Sequence, residues 1–281
     1  MVNSNTSAPI SVDTATSSDP RELYIDLVKK SLTCSLYEGT DGALVKGSVF
    51  STLMRTLLPR DVRLSRPVSK DDRAEGKDWP SLALTMVGQK RLDNVHHCVS
   101  TVLKDGVPGD LIETGVWRGG AVILMRAILK AYGVTDRTVF AADSFEGLPK
   151  PDAQSYPADK GDRHWTCDEL AVSLEQVRAN VERYGLLDDQ VQFLKGWFKD
   201  TLPHAPIERL AVARLDGDMY QSTMDAIEAL YPKLQPGGFL IVDDYGAVEG
   251  CKQAIHDYRA RNNIDEQIET VDWTGIYWRK R

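Results

Sequence analysis

The sequence has 281 residues, of which 42% are hydrophobic and 27% charged, a composition typical of a folded globular protein rather than a disordered or membrane protein. The formal charge of -7 argues against a nucleic-acid partner, because binding to a phosphate backbone requires clustered Lys and Arg. The first residues contain neither a basic region nor an apolar run, so we expect no signal peptide and no membrane span, and a cytoplasmic location.

The N-terminal part is expected to lie ahead of the main domain. Residues 1–20 are rich in Ser, Thr, Asn and Pro without periodicity, which predicts a disordered tail. A helical spacing of apolar residues follows, and the charged, turn-rich stretch 57–80 predicts an exposed loop or a mobile lid. We therefore expect a helical and lid segment over residues 21–80 and one main domain over residues 81–281.

Short apolar runs alternate with helical patterns over the main domain. The predicted strands are DLIETG (110–115), TVFAADS (138–144), VQFLKG (191–196), LAVARLDGD (210–218) and FLIVDDY (239–245), and the predicted helices are AVILMRAILKAYG (121–133), ELAVSLEQVRANVERYG (169–185) and STMDAIEALYPKL (222–234). Buried strands joined by helices predict an α/β fold whose mostly parallel sheet is covered on both faces. The last stretch, 267–281, predicts two strands around Thr274 and Gly275, an antiparallel hairpin at the sheet edge.

The first predicted strand ends in a glycine-rich turn, ETGVWRGG (113–120). In an open parallel sheet, ligands bind at the carboxyl ends of the strands, so the residues that follow each strand are the informative ones. Gly115 permits a tight turn, and Gly119 and Gly120 let backbone amides at the helix N-terminus approach an anionic ligand group. Alone, such a turn also fits a dinucleotide or simple close packing.

Two carboxylates favour S-adenosylmethionine over NAD. Asp143 ends the next strand, where a carboxylate can accept hydrogen bonds from ribose hydroxyls, as it also does in NAD enzymes. Glu113 precedes the first glycine, where it would repel a diphosphate and attract a cationic amino-acid tail. Trp197 follows the third strand, where its ring would lie near the adenine, with packing in the core as the alternative.

Acidic residues follow two further strands, as Asp216-Gly217-Asp218 and as Asp243-Asp244. The chain between them is long enough for a helix that returns it to a parallel neighbouring strand, so these carboxylates are expected to converge. They would repel one another without a cation, and magnesium prefers carboxylate, water and substrate oxygens. The pattern predicts a magnesium site, with turn and capping roles as the alternative.

The sequence resembles the macrocin O-methyltransferases, bacterial enzymes that methylate sugar hydroxyls on macrolide and aminocoumarin antibiotics. The segments that carry the resemblance are LTMVGQKRLDNVHHCV (84–99), ETGVWRGGA (113–121), ADSFEGLPK (142–150), RYGLLDDQVQFLKGWFKDTLP (183–203), LDGDMY (215–220) and PGGFLIVDDY (236–245). The resemblance runs from about Leu23 to Trp278. It implies a Rossmann-like class I methyltransferase fold, S-adenosylmethionine and magnesium as cofactors, and a homo-oligomer.

The resemblance also implies roles for individual residues. Asp216, Asp243 and Asp244 are implied as metal ligands, and Asp216 also as the general base, with Asp218 the alternative in either role. The stretch 57–80 is longer than is typical of the family, which leaves the shape of the lid and the choice of acceptor open. The implied cofactor-binding residues are Thr85, Met86, Glu113, Thr114, Gly115, Val116, Trp117, Arg118, Gly119, Gly120, Asp143, Ser144, Phe145, Gly147 and Trp197.

The expected function is a magnesium-dependent transfer of methyl from S-adenosylmethionine to a deoxysugar hydroxyl on a glycosylated natural product. A catechol acceptor is the alternative, since an aromatic diol also chelates magnesium. An NAD-dependent oxidoreductase is disfavoured by Glu113 and by the missing third glycine of G-x-G-x-x-G, and a non-catalytic binding module by the acidic turns. His96 and His97 lie in a helical pattern, where a packing or surface role is favoured over substrate contact, and the other histidines are interpreted as surface residues.

Overall fold

The computed structural model describes residues 19–37, 41–44 and 65–281. Of the predicted disordered tail, residues 1–18 lie outside the described residues, whereas Asp19 and Pro20 begin the first helix. The Asp19 side chain accepts a hydrogen bond from the backbone amide of Arg21, and proline is well suited to the first helical position.

A seven-stranded sheet forms the centre of the protein, in the order β5-β4-β3-β6-β7-β9-β8. Strands β3 to β7 are parallel, and β9 runs antiparallel to both β7 and β8. The predicted mostly parallel sheet and the predicted C-terminal edge hairpin are therefore confirmed. The strands are β3 (Asp110–Thr114), β4 (Val139–Asp143), β5 (Val191–Lys195), β6 (Leu210–Leu215), β7 (Leu234–Val242), β8 (Glu269–Thr270) and β9 (Ile276–Arg279), and a separate antiparallel pair joins β1 (Ala43–Leu44) and β2 (Ser65–Arg66).

Helices cover both faces of this sheet. Successive strand residues point to opposite faces, so Leu111 packs into one apolar cluster with α1, α3, α4 and α5, whereas Ile112 packs into the other with α7 and α8. The first ten residues of α4 are buried, because this helix lies against the sheet and also contacts α1 and α3. The helices are α1 (Pro20–Leu32), α2 (Lys70–Ala74), α3 (Gln89–Lys104), α4 (Gly120–Ala131), α5 (Leu174–Arg183), α6 (Phe198–Thr201), α7 (Tyr220–Leu230) and α8 (Glu249–Arg261).

The strand register brings the carboxyl ends of four strands to one edge of the sheet. Thr114 at the end of β3 is paired with Ala142 of β4 and with Leu215 of β6, and Leu215 is paired with Val242 of β7. The residues that follow these strands therefore lie side by side. This edge is where an open parallel sheet binds its ligands.

The stretch predicted as an exposed loop or lid is only partly described. Its residues 57–64 lie outside the described residues, and its last part forms α2 and then a loop in which Asp78 and Pro80 are buried. The lid role and the boundary at residue 80 stay predictions. Among the described helices, none is long and apolar enough to cross a membrane, and the predicted cytoplasmic location also stays a prediction.

The carboxylate of Asp41 anchors the loop that follows this stretch. It accepts hydrogen bonds from the backbone amides of Ser81 (2.9 Å), Leu82 (2.8 Å) and Ala83 (2.9 Å), and from the Ser81 hydroxyl (2.6 Å). Burial alone would raise the pKa of Asp41, but these hydrogen bonds together hold it below its usual value. The anchored loop leads directly into Thr85 and Met86 at the ligand edge of the sheet.

We predict that Asp41→Asn loosens this loop, because an amide nitrogen cannot accept the bonds that a carboxylate oxygen accepts. Hydrogen exchange of the amides of Ser81, Leu82 and Ala83 should accelerate by at least about 10-fold. The matched control is Asp71→Asn, which changes an exposed aspartate on α2. Equal protection of the three amides in wild type and Asp41→Asn would contradict the anchor.

Candidate active site

The turn after β3 can be formed only by glycine at position 115. Gly115 has φ +82°, and a Cβ at this position would lie 1.6 Å from the backbone oxygen of Asp216. Gly120 begins α4 with a similar constraint, since its Cβ would lie 2.6 Å from the Cβ of Thr85. The turn therefore brings the start of α4, the end of β6 and the loop at Thr85 into direct contact, and this contact shapes the wall of the site.

A first cavity of about 280 Å³ lies beside this turn. The carboxylate of Asp143 stands in its wall and accepts hydrogen bonds from the backbone amides of Val116 (2.7 Å) and Phe145 (2.7 Å). Burial raises the pKa of Asp143, and these backbone hydrogen bonds oppose the rise. Asp143 thus orders both turns around the first cavity and keeps oxygen lone pairs for a further donor.

A second cavity of about 190 Å³ adjoins the first. It is bounded by the end of β3, the loop after α2, the ends of β6 and β7, and the loop between β8 and β9. Six residues line both cavities, which makes them two compartments of one site. The shared residues are Met86, Gly115, Trp117, Leu170, Asp216 and Asp218.

Most of the predicted cofactor residues come together around these two cavities. The remaining four support the turns without lining either cavity. Thr114 is a fully buried strand residue, and Arg118 donates to the carbonyl of Ala83 at 2.7 Å. Gly119 has φ +90°, and Phe145 packs on Phe193. The lining residues are Thr85, Met86, Glu113, Gly115, Val116, Trp117, Gly120, Asp143, Ser144, Gly147 and Trp197.

The acidic turns after β6 and β7 converge in the second cavity. One carboxylate oxygen each of Asp216, Asp243 and Asp244 can be chosen so that all three lie within 4.8 Å of one another. Asp243 and Asp244 are buried, and Asp216 keeps 26% of its side chain exposed. Such a set of oxygen donors is of the kind that a hard divalent cation binds.

A buried arginine, which the sequence analysis did not identify, connects this cluster to the glycine turn. Arg214 on β6 has no exposed surface, and its Nη1 donates to Glu113 at 2.6 Å and to Asp216 at 2.7 Å. Its Nη2 donates to Asp243. The signal was present in the sequence as one arginine inside the apolar strand LAVARL, because an unpaired charge in a buried strand is costly.

A second arginine extends the network to the C-terminal hairpin. Arg91 on α3 donates to Asp243 through Nη1 and to Asp272 through Nε at 3.0 Å. Asp272 lies in the loop between β8 and β9, and Thr274 of the same loop donates to the backbone oxygen of Asp243 at 2.8 Å. The edge hairpin is therefore bonded directly to the acidic cluster.

Carboxylates outnumber the two arginines in this network, and their protonation equilibria respond. Burial, and then the neighbouring carboxylate of Asp243, raise the pKa of Asp216 to about 6 although Arg214 opposes the rise. Burial raises the pKa of Asp218 to about 7 and that of Asp244 well above its usual value. The site has an excess of negative charge that a cation would relieve.

Glu113 has a structural partner in addition to the ligand role predicted from the sequence. Burial raises its pKa to about 8, against the effect of the Arg214 guanidinium on Oε1. Its other oxygen, Oε2, is buried without a hydrogen-bond partner among the described residues, and Glu113 lines the second cavity. One oxygen thus serves the fold, and the other is available to a donor from a ligand.

Asp218 and His164 complete the wall of the second cavity. The Asp218 backbone amide donates to Asp244 at 2.9 Å, and the ion pairs of Arg214 and Arg91 go to other carboxylates. The nearby His164 opposes the rise in the pKa of Asp218 that burial causes. His164, interpreted from the sequence as a surface residue, lies 2.7 Å from Asp162 through Nδ1. His96 and His97 line neither cavity, and His97 is exposed with its ring edge-on to Phe239, in agreement with a packing or surface role.

Comparison with known proteins identifies close relatives along nearly the whole chain. The family model described as Macrocin-O-methyltransferase (TylF) matches residues 21–280. The 8-demethyl-8-(2,3-dimethoxy-alpha-L-rhamnosyl)-tetracenomycin-C 4'-O-methyltransferase of Streptomyces olivaceus is 56% identical, covering 93% of this chain and 94% of that protein. The mycinamicin III 3''-O-methyltransferase of Micromonospora griseorubida is 47% identical, covering 92% of this chain and 96% of that protein.

A third sequence relative and one solved structure agree with this family assignment. The demethyldecarbamoylnovobiocin O-methyltransferase of Streptomyces niveus is 49% identical, covering 97% of this chain and 99% of that protein. The solved structure of the O-methyltransferase NovP superimposes with a TM-score of 0.83 at 48% identity, covering 92% of this chain and 99% of that chain.

We predict that Arg214→Lys lowers the free energy of unfolding by roughly 3 kcal/mol, because one ammonium group cannot reach three carboxylates at the ends of β3, β6 and β7. Urea unfolding followed by circular dichroism would measure the loss. The control is Arg279→Lys, which alters an arginine whose side chain is 43% exposed and should cost less than about 1 kcal/mol. A similarly small effect for Arg214→Lys would contradict the structural role of this network.

Proposed function

The chain belongs to the macrocin O-methyltransferase family, and we propose that it transfers a methyl group from S-adenosylmethionine to a deoxysugar hydroxyl on a glycosylated natural product. As a member of this family it is an S-adenosylmethionine-dependent O-methyltransferase, so the oxidoreductase and binding-module alternatives no longer apply. The observation that carries the proposal is that Asp216 and Asp218 line both cavities, so that cofactor and acceptor compartments meet at the acidic cluster. The name of one relative supports a glycosylated acceptor, since it specifies a rhamnosyl group.

We assign the cofactor to the eleven cavity-lining residues of the glycine turn and its neighbours. The partnerless Oε2 of Glu113 fits the ammonium group of a methionine tail, since a buried acceptor without a donor is costly. Asp143 fits the ribose hydroxyls, and Trp197 offers an aromatic face at the first cavity. The positions of Thr114, Arg118, Gly119 and Phe145 give them a supporting role behind this surface.

We assign magnesium to Asp216, Asp243 and Asp244. The donor set fits the ion, because three carboxylate oxygens converge and the surrounding carboxylates outnumber the arginines. When bound, S-adenosylmethionine supplies the methyl group and magnesium lowers the pKa of hydroxyls that coordinate it. The chain orients these groups, and the buried arginines fix the directions of the carboxylates that face them.

The contacts favour Asp218 over Asp216 as the residue that takes the proton of the acceptor hydroxyl. Asp216 accepts a hydrogen bond from the buried Arg214 at 2.7 Å, which stabilises its charged form and weakens it as a base. Asp218 lines the same cavity, and the guanidinium of Arg214 donates to Glu113, Asp216 and Asp243 but not to the carboxylate of Asp218. Asp216, the assignment suggested by the sequence, remains the alternative.

We also propose that the protein is a homo-oligomer, as the family resemblance implies. Helix α1 leaves two large apolar side chains, Leu23 and Leu27, about half exposed. Light scattering of the purified protein should give a molar mass that is a multiple of the mass of one chain, and a monomer at micromolar concentration would contradict this part of the proposal.

We predict that the enzyme methylates glycosides with free vicinal sugar hydroxyls. Labelled S-adenosylmethionine should be incorporated into members of a panel of rhamnosylated polyketides and not into catechol or caffeic acid. Chelator should reduce the rate by at least about 100-fold and added magnesium should restore it. Methylation of catechols alone would favour the alternative acceptor, and full activity after chelation would contradict the metal assignment.

We predict that Asp218→Asn and Asp216→Asn fail in different ways. Asp218→Asn should lower kcat by at least about 100-fold, as expected for loss of a general base, while the rise in melting temperature on adding magnesium persists. Asp216→Asn should abolish that rise together with activity, because a metal ligand is lost. Both variants should still bind S-adenosylhomocysteine in calorimetry. A nearly wild-type kcat for Asp218→Asn would contradict this assignment and favour Asp216 as the general base.

A further inference from the structure

Trp273 is a large apolar side chain that the reaction as described does not use. It lies in the loop between β8 and β9 and lines the second cavity, where the acidic cluster stands. Its relative exposure is 45%, although side chains of this size are usually buried. An indole in the wall of a strongly acidic cavity calls for an explanation in terms of what the cavity binds.

The backbone around Trp273 is held on the acidic cluster from both sides. Asp272, which precedes it, accepts hydrogen bonds from Arg91 (3.0 Å) and from the backbone amide of Gly275 (2.8 Å). Thr274, which follows it, donates to the backbone oxygen of Asp243 at 2.8 Å. The backbone that carries the indole is therefore fixed relative to the carboxylates that we assign to magnesium.

The polar atom of the indole is already satisfied. Its Nε1 donates to the backbone oxygen of Glu75 at 2.8 Å, which also ties the loop to the end of α2. What remains available to a ligand is the apolar face of the ring. Trp79, on the loop after α2, lines the same cavity and adds a second aromatic side chain to its wall.

We propose that Trp273 is the platform on which the acceptor's sugar ring stacks during methyl transfer. A pyranose has an apolar face of C–H groups and a rim of hydroxyls, and this cavity pairs an indole face with a set of carboxylate acceptors. Stacking on the indole orients the ring, and the hydroxyls at its edge face the acidic cluster. The inference rests on the proposed sugar acceptor and extends it to a residue that binds the ring itself.

A purely structural role for Trp273 is the competing explanation, because its Nε1 hydrogen bond joins two loops. Two variants separate the explanations. Trp273→Phe keeps an aromatic face and loses the hydrogen bond, whereas Trp273→Leu keeps apolar volume and loses the face. Trp165→Leu is the matched control, since Trp165 is 41% exposed and lines neither cavity.

The test is saturation-transfer NMR with methyl α-L-rhamnopyranoside as the probe, in the presence of magnesium and S-adenosylhomocysteine. Wild type, Trp273→Phe and Trp165→Leu should transfer saturation to the C–H protons of the ring. Trp273→Leu should weaken binding of the sugar by about 10-fold, the effect of losing one stacking contact. Its affinity for S-adenosylhomocysteine should stay within about 2-fold of wild type, which verifies the fold of the first cavity.

Equal saturation transfer in Trp273→Leu and wild type would overturn the proposal. Loss of transfer in Trp273→Phe as complete as in Trp273→Leu would also overturn it, because the lost hydrogen bond would then explain both results. No transfer to the sugar in wild type would also overturn it. Transfer that depends on the aromatic face, in a protein that methylates no glycoside of the panel, would support the platform and contradict the proposed function instead.

Discussion

The buried guanidinium of Arg214 binds carboxylates from three neighbouring strands: Glu113 near the end of β3, Asp216 directly after β6 and Asp243 directly after β7. A charge without exposed surface is tolerable only where its partners surround it, so the three strand ends must stay in register for the arginine to be accommodated. The same constraint fixes the glycine turn on one side and the acidic cluster on the other. Both compartments of the site depend on this one side chain.

The network leaves an excess of negative charge where the two cavities meet. Arg214 and Arg91 neutralise part of it, and the remaining carboxylates have raised pKa values because they are buried close to one another. The repulsion among these carboxylates raises the electrostatic free energy of the protein alone, and bound cations would lower it. A cationic sulfonium ligand and a divalent metal would each reduce the repulsion, which couples the electrostatics of the fold to the proposed chemistry.

Segments distant in sequence complete the second cavity. The hairpin loop is bonded to Arg91 through Asp272, and the segment after α2 is anchored by Asp41 and by the Trp273 hydrogen bond to Glu75. These contacts connect the N-terminal part, the central sheet and the C-terminal edge at a single place. Because loops and turns form much of the wall of the second cavity, this is also the part of the site in which relatives of one family can differ most.

The sequence by itself determined the sheet, the glycine turn and the acidic turns, because strand periodicity, glycine at a position of positive φ and carboxylates after buried strands are local signals. Eleven of the fifteen predicted cofactor residues line the two cavities for the same reason. Only the tertiary structure decided the partners of those residues. The contacts of Glu113 with Arg214, of Arg91 with Asp272 and of Trp273 with Glu75 join segments about 100 to 200 positions apart. No local pattern encodes such contacts, since they depend on how helices and strand ends pack together in space.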